Sequence, residues 1–100
     1  MSVLEKEVEL KLRHMVQDRG GLCLKWVCPG WAGVPDRILL LPRGRIIFAE
    51  LKRPKGGVIS PRQKWWRNKL RSLGFDHYYI YNTEDVQALA QLLRFEGAER

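Results

Sequence analysis

Hydrophobic residues recur along the chain in patterns that divide it into helices and strands. Apolar positions three or four residues apart run through 2–19, 61–73 and the segment after Asn82, and this spacing predicts amphipathic helices. Runs rich in branched and aromatic residues at 22–27, 37–41, 45–52 and 75–81 predict strands. The resulting order of helix, three strands, helix, strand and helix is that of an α/β sandwich, and 100 residues suffice for one small domain.

The strand predicted at 45–52 ends with an acid and a base on the same face. The two-residue period of a strand places Glu50 and Lys52 together, on a face that otherwise carries apolar residues. The turn at 42–44 predicts that the preceding strand pairs antiparallel with this one, which returns Asp36 to the same end. Two carboxylates and one ammonium group therefore converge. Their partial burial has to be compensated, and a metal ion with a phosphate group would do so.

Three sequence features at this point resemble a known family. The motif Gly33-Val34-Pro35-Asp36, the tripeptide Glu50-Leu51-Lys52 and the downstream Gln63 resemble the PD-(D/E)XK nuclease superfamily, and most closely its VRR-NUC branch. The resemblance extends over roughly residues 5–86. It implies a restriction-endonuclease-like αβββαβ core with a mixed sheet flanked by helices, in a single domain that spans 1–100 and has its core at about 4–94.

The resemblance also implies a metal-dependent active site. Asp36, Glu50 and the backbone carbonyl of Leu51 would hold one or two Mg²⁺ or Mn²⁺ ions, because these metals prefer hard oxygen ligands. Lys52 would orient a water molecule or stabilise the negative charge that develops on the phosphate. A Glu50–Lys52 ion pair with a purely structural role is the alternative interpretation.

Two further predicted site residues also have structural alternatives. Gln63 would position substrate or water near the catalytic centre, but it follows Ser60 by three residues and so also fits a helix capping box. The family carries a metal-supporting glutamate on its first helix. We assign this role to Glu5, which lies on the apolar face, with Glu9 at the edge of that face as the second choice. Acidic residues in the first turn of a helix are also favourable on electrostatic grounds alone.

The charge of the chain indicates a polyanionic partner. The net charge is +7 and the isoelectric point about 9.9, and much of the excess lies between residues 43 and 71. Nucleic acid is the partner this favours, with an anionic membrane surface as the alternative. No apolar run approaches the roughly 20 residues that span a bilayer, so we expect a cytoplasmic protein without a membrane partner. The residues predicted to contact DNA are Lys25, Arg37, Arg53, Lys55 and Arg62.

The resemblance implies hydrolysis of phosphodiester bonds in branched DNA such as four-way (Holliday) junctions. The resemblance also implies a homodimer that acts in the cytoplasm of a cell or of a phage host and needs no small-molecule cofactor. A nucleic-acid-binding module without catalysis is the first alternative, because the charge alone would support it. A thiol-based enzyme is the second. Cys23 and Cys28 match neither a zinc-finger spacing nor a disulfide framework and have no base nearby in sequence, so we expect plain thiols.

Overall fold

A computed structural model describes residues 3–53 and 56–97 and contains the predicted elements in the predicted order. The helices are α1 (Val3–Asp18), α2 (Pro61–Ser72) and α3 (Thr83–Glu96), and the strands are β1 (Leu22–Lys25), β2 (Arg37–Leu41), β3 (Arg45–Leu51) and β4 (Asp76–Ile80). Each strand lies within its predicted run; β2 matches its run, whereas β1, β3 and β4 end one or two residues earlier than theirs.

The four strands form one mixed sheet in the order β1-β2-β3-β4, which confirms the predicted α/β architecture. The pairs β1–β2 and β2–β3 are antiparallel, whereas β3 and β4 are parallel. A parallel pair needs a crossover connection, and α2 provides it between β3 and β4.

The hairpin between β2 and β3 turns through a short helical segment, Pro42–Gly44. Arg43 and Gly44 both have positive φ angles, 65° and 72°. Such a turn joins adjacent antiparallel strands tightly and fixes their register, in which Arg37 lies opposite Ala49. The residue before Arg37 is therefore brought to the level of Glu50.

The main core lies between one face of the sheet and the helices α1 and α3. This face carries the odd-numbered residues of β3, as the strand period predicts, and Ile47 and Ala49 are fully buried there. The buried core residues are Val8, Leu12, Met15, Val16, Leu39, Leu41, Ile47, Ala49, Ile80, Val86, Leu89 and Leu93.

The opposite face of the sheet is covered by α2 through aromatic contacts. The ring of Trp26 lies 5.3 Å from that of Phe48 and 5.5 Å from that of Trp66, measured between centroids. The indole Nε1 of Trp66 donates a hydrogen bond of 2.9 Å to the carbonyl oxygen of Ala32. This bond ties α2 to the loop that leads into Asp36.

In the part of the chain that the structure describes, the helices are too short and too polar to cross a membrane.

Candidate active site

Asp36 and the end of β3 meet at one end of the sheet. The Oδ2 atom of Asp36 accepts a hydrogen bond of 2.9 Å from the backbone N–H of Leu51. The backbone carbonyl of Asp36 accepts another, of 3.0 Å, from the N–H of Trp26. The carboxylate is thus held between β1 and β3, where the hairpin was predicted to return it.

Glu50 is a buried carboxylate with only one of its oxygens satisfied. Its exposed fraction is 4%. Oε1 accepts a hydrogen bond of 2.8 Å from Nε2 of Gln63, whereas Oε2 is buried and has no hydrogen-bond partner among the described residues. A buried anion in this condition favours either protonation or a bound cation.

The pKa of Glu50 reflects that environment. This pKa is raised from 4.5 to about 8, chiefly by burial and next by the negative charge of Asp36, while the positive charge of Lys52 acts in the opposite direction. Two carboxylates that crowd each other in this way are stabilised when a divalent cation lies between them. The unsatisfied Oε2 atom and the oxygen-only donor set therefore fit a hard metal ion such as Mg²⁺ or Mn²⁺.

Gln63 connects the start of α2 to this carboxylate. The Ser60 hydroxyl accepts a hydrogen bond of 3.2 Å from the N–H of Gln63, and the Gln63 side-chain oxygen accepts one of 3.0 Å from the N–H of Ser60. This is a complete capping box, which leaves the amide nitrogen of Gln63 to donate to Glu50. The capping box and the contact with Glu50 therefore coexist.

Lys52 continues from β3 into the loop that precedes α2. Its backbone N–H donates 2.9 Å to the carbonyl of Ile80, so the strand ladder extends one residue beyond Leu51. Its ammonium group donates 2.9 Å to the carbonyl oxygen of Val58. Sequence reasoning did not identify Val58 at the site, because a backbone acceptor in a loop leaves no mark in a side-chain pattern.

Both candidate glutamates of α1 reach the same cleft, which has a volume of about 370 Å³. Glu9 forms an ion pair with Arg37, and Glu5 lies 3.6 Å from the Nε atom of Arg53. No group of three or more His, Cys, Asp or Glu side chains within 3–53 and 56–97 is arranged to hold a metal ion. The side chains that meet at the centre are thus the Asp36–Glu50 pair, and the role of either helix glutamate stays a prediction.

The residues predicted to contact DNA occupy different environments. Lys25 lines the cleft at the end of β1. The Arg37 side chain is only 13% exposed in its ion pair, whereas that of Arg53 is 65% exposed. The guanidinium carbon of Arg62 lies 5.8 Å from the ring centroid of Trp65. Lys55 lies outside the described residues.

Both cysteines are free thiols, as predicted. Burial raises the pKa of the Cys23 thiol, with Arg37 and Arg13 acting in the opposite direction. A raised pKa disfavours the thiolate that nucleophilic catalysis requires. The environment of Cys23 therefore does not favour the thiol-based alternative.

A hairpin with its carboxylates at one sheet end, followed by a helical crossover to a parallel strand, defines a nuclease core of the PD-(D/E)XK class. A solved structure described as a VRR_NUC domain superposes with a TM-score of 0.83 and 27% sequence identity, covering 90% of this chain and 97% of its own. The chain is also 36% identical over 87 residues to a protein named "Putative nuclease p44" from Acyrthosiphon pisum secondary endosymbiont phage 1, covering 87% of this chain and 91% of that protein. The chain belongs to the VRR-NUC family. A search of family sequence models gave no match.

Proposed function

We propose that this protein is a DNA endonuclease that uses Mg²⁺ or Mn²⁺ to hydrolyse phosphodiester bonds, with branched DNA such as four-way junctions as its substrate. The observation that carries the proposal is the pairing of Asp36 with a buried Glu50 whose Oε2 atom has no hydrogen-bond partner among the described residues. Membership of the VRR-NUC family and the net charge of +7 support it.

In this proposal the carboxylates of Asp36 and Glu50, with the Leu51 carbonyl, hold the metal, and Glu5 or Glu9 supports them. When bound, such an ion activates water and neutralises charge on the phosphate. The N–H of Leu51 and the amide of Gln63 hold the two carboxylates in place from the protein side. The Lys52 ammonium group lies close enough to lower the pKa of Glu50. Lys52 therefore stabilises negative charge that develops on a phosphate beside Glu50.

The direct test is cleavage by the variants Asp36→Ala and Lys52→Ala in Mg²⁺. We expect each to lose at least about 100-fold in cleavage rate, because each removes a group that acts on the reacting phosphate. DNA binding and thermal unfolding should stay close to those of the unmodified protein. Asp18, an exposed carboxylate at the end of α1, provides the control variant Asp18→Ala. Undiminished cleavage by Asp36→Ala would refute the assignment.

A nucleic-acid-binding module without catalysis is the competing function, and titration calorimetry separates the two. Mn²⁺ should bind the unmodified protein and bind Asp36→Ala much more weakly, since one of two ligand carboxylates is gone. A binding module has no reason to hold Mn²⁺ at this position, so equal heats from both proteins would favour it.

Branched DNA is the substrate that the family resemblance implies. Gel cleavage of linear, flap and four-way substrates built from the same strands tests this directly, because only the branch differs between them. Preference for the four-way or flap substrate is the expected result. Equal cleavage of all three substrates would show a nuclease without specificity for branched DNA.

The proposed site of action is the cytoplasm of the cell or of a phage host.

A further inference from the structure

A second polar pocket lies beside the candidate active site, between α2 and β4. It encloses about 210 Å³ and is lined by Ile59, Lys64, Arg67, Asn68 and Tyr79. None of these five side chains is acidic, and two of them are cations. The lining therefore favours an anionic occupant.

Two buried polar atoms of residues that line this pocket have no hydrogen-bond partner among the described residues, namely Nε of Arg67 and the hydroxyl of Tyr79. The guanidinium carbon of Arg67 lies 4.9 Å from the Tyr79 ring centroid, so the two side chains hold each other in place. Buried donors without acceptors are costly, and both groups can donate to an oxygen. An anion with several acceptor oxygens would satisfy both and also pair with the ammonium group of Lys64.

The pocket lies next to the candidate catalytic centre on the same face of the sheet. In the parallel pairing of β3 with β4, Tyr79 is the partner of Glu50. Gln63, which contacts Glu50, and Arg67, which contacts Tyr79, are four residues apart on α2. One helical turn, about 6 Å along the axis, therefore separates the helix residues above the two sites.

We propose that this pocket is a phosphate subsite, which binds a backbone phosphate of the DNA strand next to the phosphate that is cleaved. The inference rests on the proposed function and adds to it a contact that sets the path of the strand. The Arg67 guanidinium and the Tyr79 hydroxyl are its central donors, and Lys64 and Asn68 complete it. Because the contact is with phosphate, it strengthens binding without reading base sequence.

The test is the salt dependence of DNA binding, measured by fluorescence anisotropy in EDTA so that no cleavage takes place. Arg67→Gln should weaken binding about 10-fold near 100 mM salt and reduce the slope of log K against log salt by about 1, because one phosphate contact is lost. Lys69→Gln is the matched control, since it removes a positive charge from an exposed position of the same helix that does not line the pocket. Its slope should change much less.

Tyr79→Phe tests the subsite without a change of charge. It keeps the ring under Arg67 and removes only the hydroxyl. We expect weaker DNA binding, by roughly 3- to 10-fold, together with an unchanged or higher melting temperature, because the hydroxyl has no partner in the free protein. A structural role for the hydroxyl would give the reverse pattern, with lower stability and equal affinity, and would overturn the proposal. So would an Arg67→Gln slope equal to that of the Lys69→Gln control.

Free phosphate is the other source of the same chemistry. Inorganic phosphate and chloride are compared at equal ionic strength for protection against thermal unfolding. The subsite is supported if phosphate protects the unmodified protein but not Arg67→Gln, and if Arg67→Gln also has a smaller salt slope for DNA binding. If phosphate protects in the same way but Arg67→Gln leaves the salt slope of DNA binding unchanged, the pocket binds free phosphate and the assignment to a DNA backbone phosphate is overturned. Binding is measured in EDTA and therefore does not depend on cleavage. If the unmodified protein cleaves no DNA in Mg²⁺ but Arg67→Gln still reduces the salt slope, only the nuclease function is refuted.

Discussion

Glu50 shows how a single residue links burial to function. The fold places its carboxylate beside that of Asp36 and satisfies only one of its oxygens, through Gln63. Without metal this raises its pKa to about 8, so the folded state binds a proton that the unfolded state has released above pH 4.5. The free energy of unfolding should therefore fall as the pH rises from about 4.5 through 8.

The variant Glu50→Gln removes this titration and keeps the acceptor for Gln63. In EDTA its free energy of unfolding should exceed that of the unmodified protein by roughly 1–3 kcal/mol at pH 8, since each pKa unit corresponds to about 1.4 kcal/mol. Urea unfolding between pH 5 and 9 measures the difference. The same variant should lose Mn²⁺ binding. Parallel pH profiles for the two proteins would contradict the account of Glu50.

His77 gives a pH dependence of opposite sign. It is 1% exposed, its Nδ1 atom has no hydrogen-bond partner among the described residues, and burial with the charges of Arg67 and Arg71 lowers its pKa to about 4. The unfolded state then binds the extra proton, so stability is lost as the pH falls from 6.5 towards 4, by up to about 3 kcal/mol.

His77→Gln should remove this acid sensitivity, which urea unfolding at pH 4.5 and 7 would measure. The difference in free energy between the two pH values should become smaller than in the unmodified protein. His14→Gln, at an exposed position of α1, is the control and should leave the difference unchanged. An equal effect of both substitutions would show that the response does not come from His77.

At the scale of elements, the start of α2 does two things with one set of bonds. The capping box satisfies backbone N–H groups at the beginning of the helix and also fixes the rotamer of Gln63, whose amide then reaches Glu50. Helix α3 has a comparable cap, in which the Asn82 side chain accepts a hydrogen bond of 2.8 Å from the N–H of Asp85, but among the described residues no side-chain hydrogen bond joins Asn82 to Glu50. A comparison of the two caps therefore distinguishes the effect of a cap on stability from its effect on the active site.

Ser60→Ala and Asn82→Ala should each cost about 1 kcal/mol of stability, the usual value for the loss of an N-cap. Only Ser60→Ala should also slow cleavage, by roughly 10-fold under conditions where both variants are fully folded, because it loosens Gln63. Chemical unfolding and single-turnover cleavage measure the two effects. Equal cleavage rates for the variants would mean that the cap does not position Gln63.

At the scale of the whole molecule, the edge strand β1 supports the homodimer that the family resemblance implies. Leu22 and Leu24 are 56% and 42% exposed on this strand, which among the described residues has a neighbouring strand on one side only. An uncovered apolar edge strand favours association with another chain. A two-fold dimer would carry two sites, as the cleavage of paired strands requires.

Sedimentation should therefore give a dimer at micromolar concentration, and Leu24→Lys should shift it to a monomer. Phe95→Lys is the control, because Phe95 is 91% exposed on α3 and far in sequence from β1. Sedimentation of the unmodified protein as a monomer at tens of micromolar would refute the homodimer. If Phe95→Lys dissociates the dimer and Leu24→Lys does not, the interface does not lie at β1.

The sequence by itself determined the order of the elements, the β2–β3 hairpin and the capping box at α2. It also located Asp36 beside the end of β3, a contact now seen between its Oδ2 atom and the N–H of Leu51. These features depend on short-range periodicity, on turn residues and on pairing across a three-residue connection. Local physics is sufficient to predict them.

Only the tertiary structure decided how completely Glu50 is buried, that Glu9 pairs with Arg37, and that Tyr79 lies beside Glu50. The first two depend on how α2 and α1 pack against the sheet. The third depends on the register of a parallel pair whose strands are joined by a long crossover, and no turn type fixes that register. Sequence periodicity specifies which face a residue occupies, whereas packing across the sheet determines which residues it meets there.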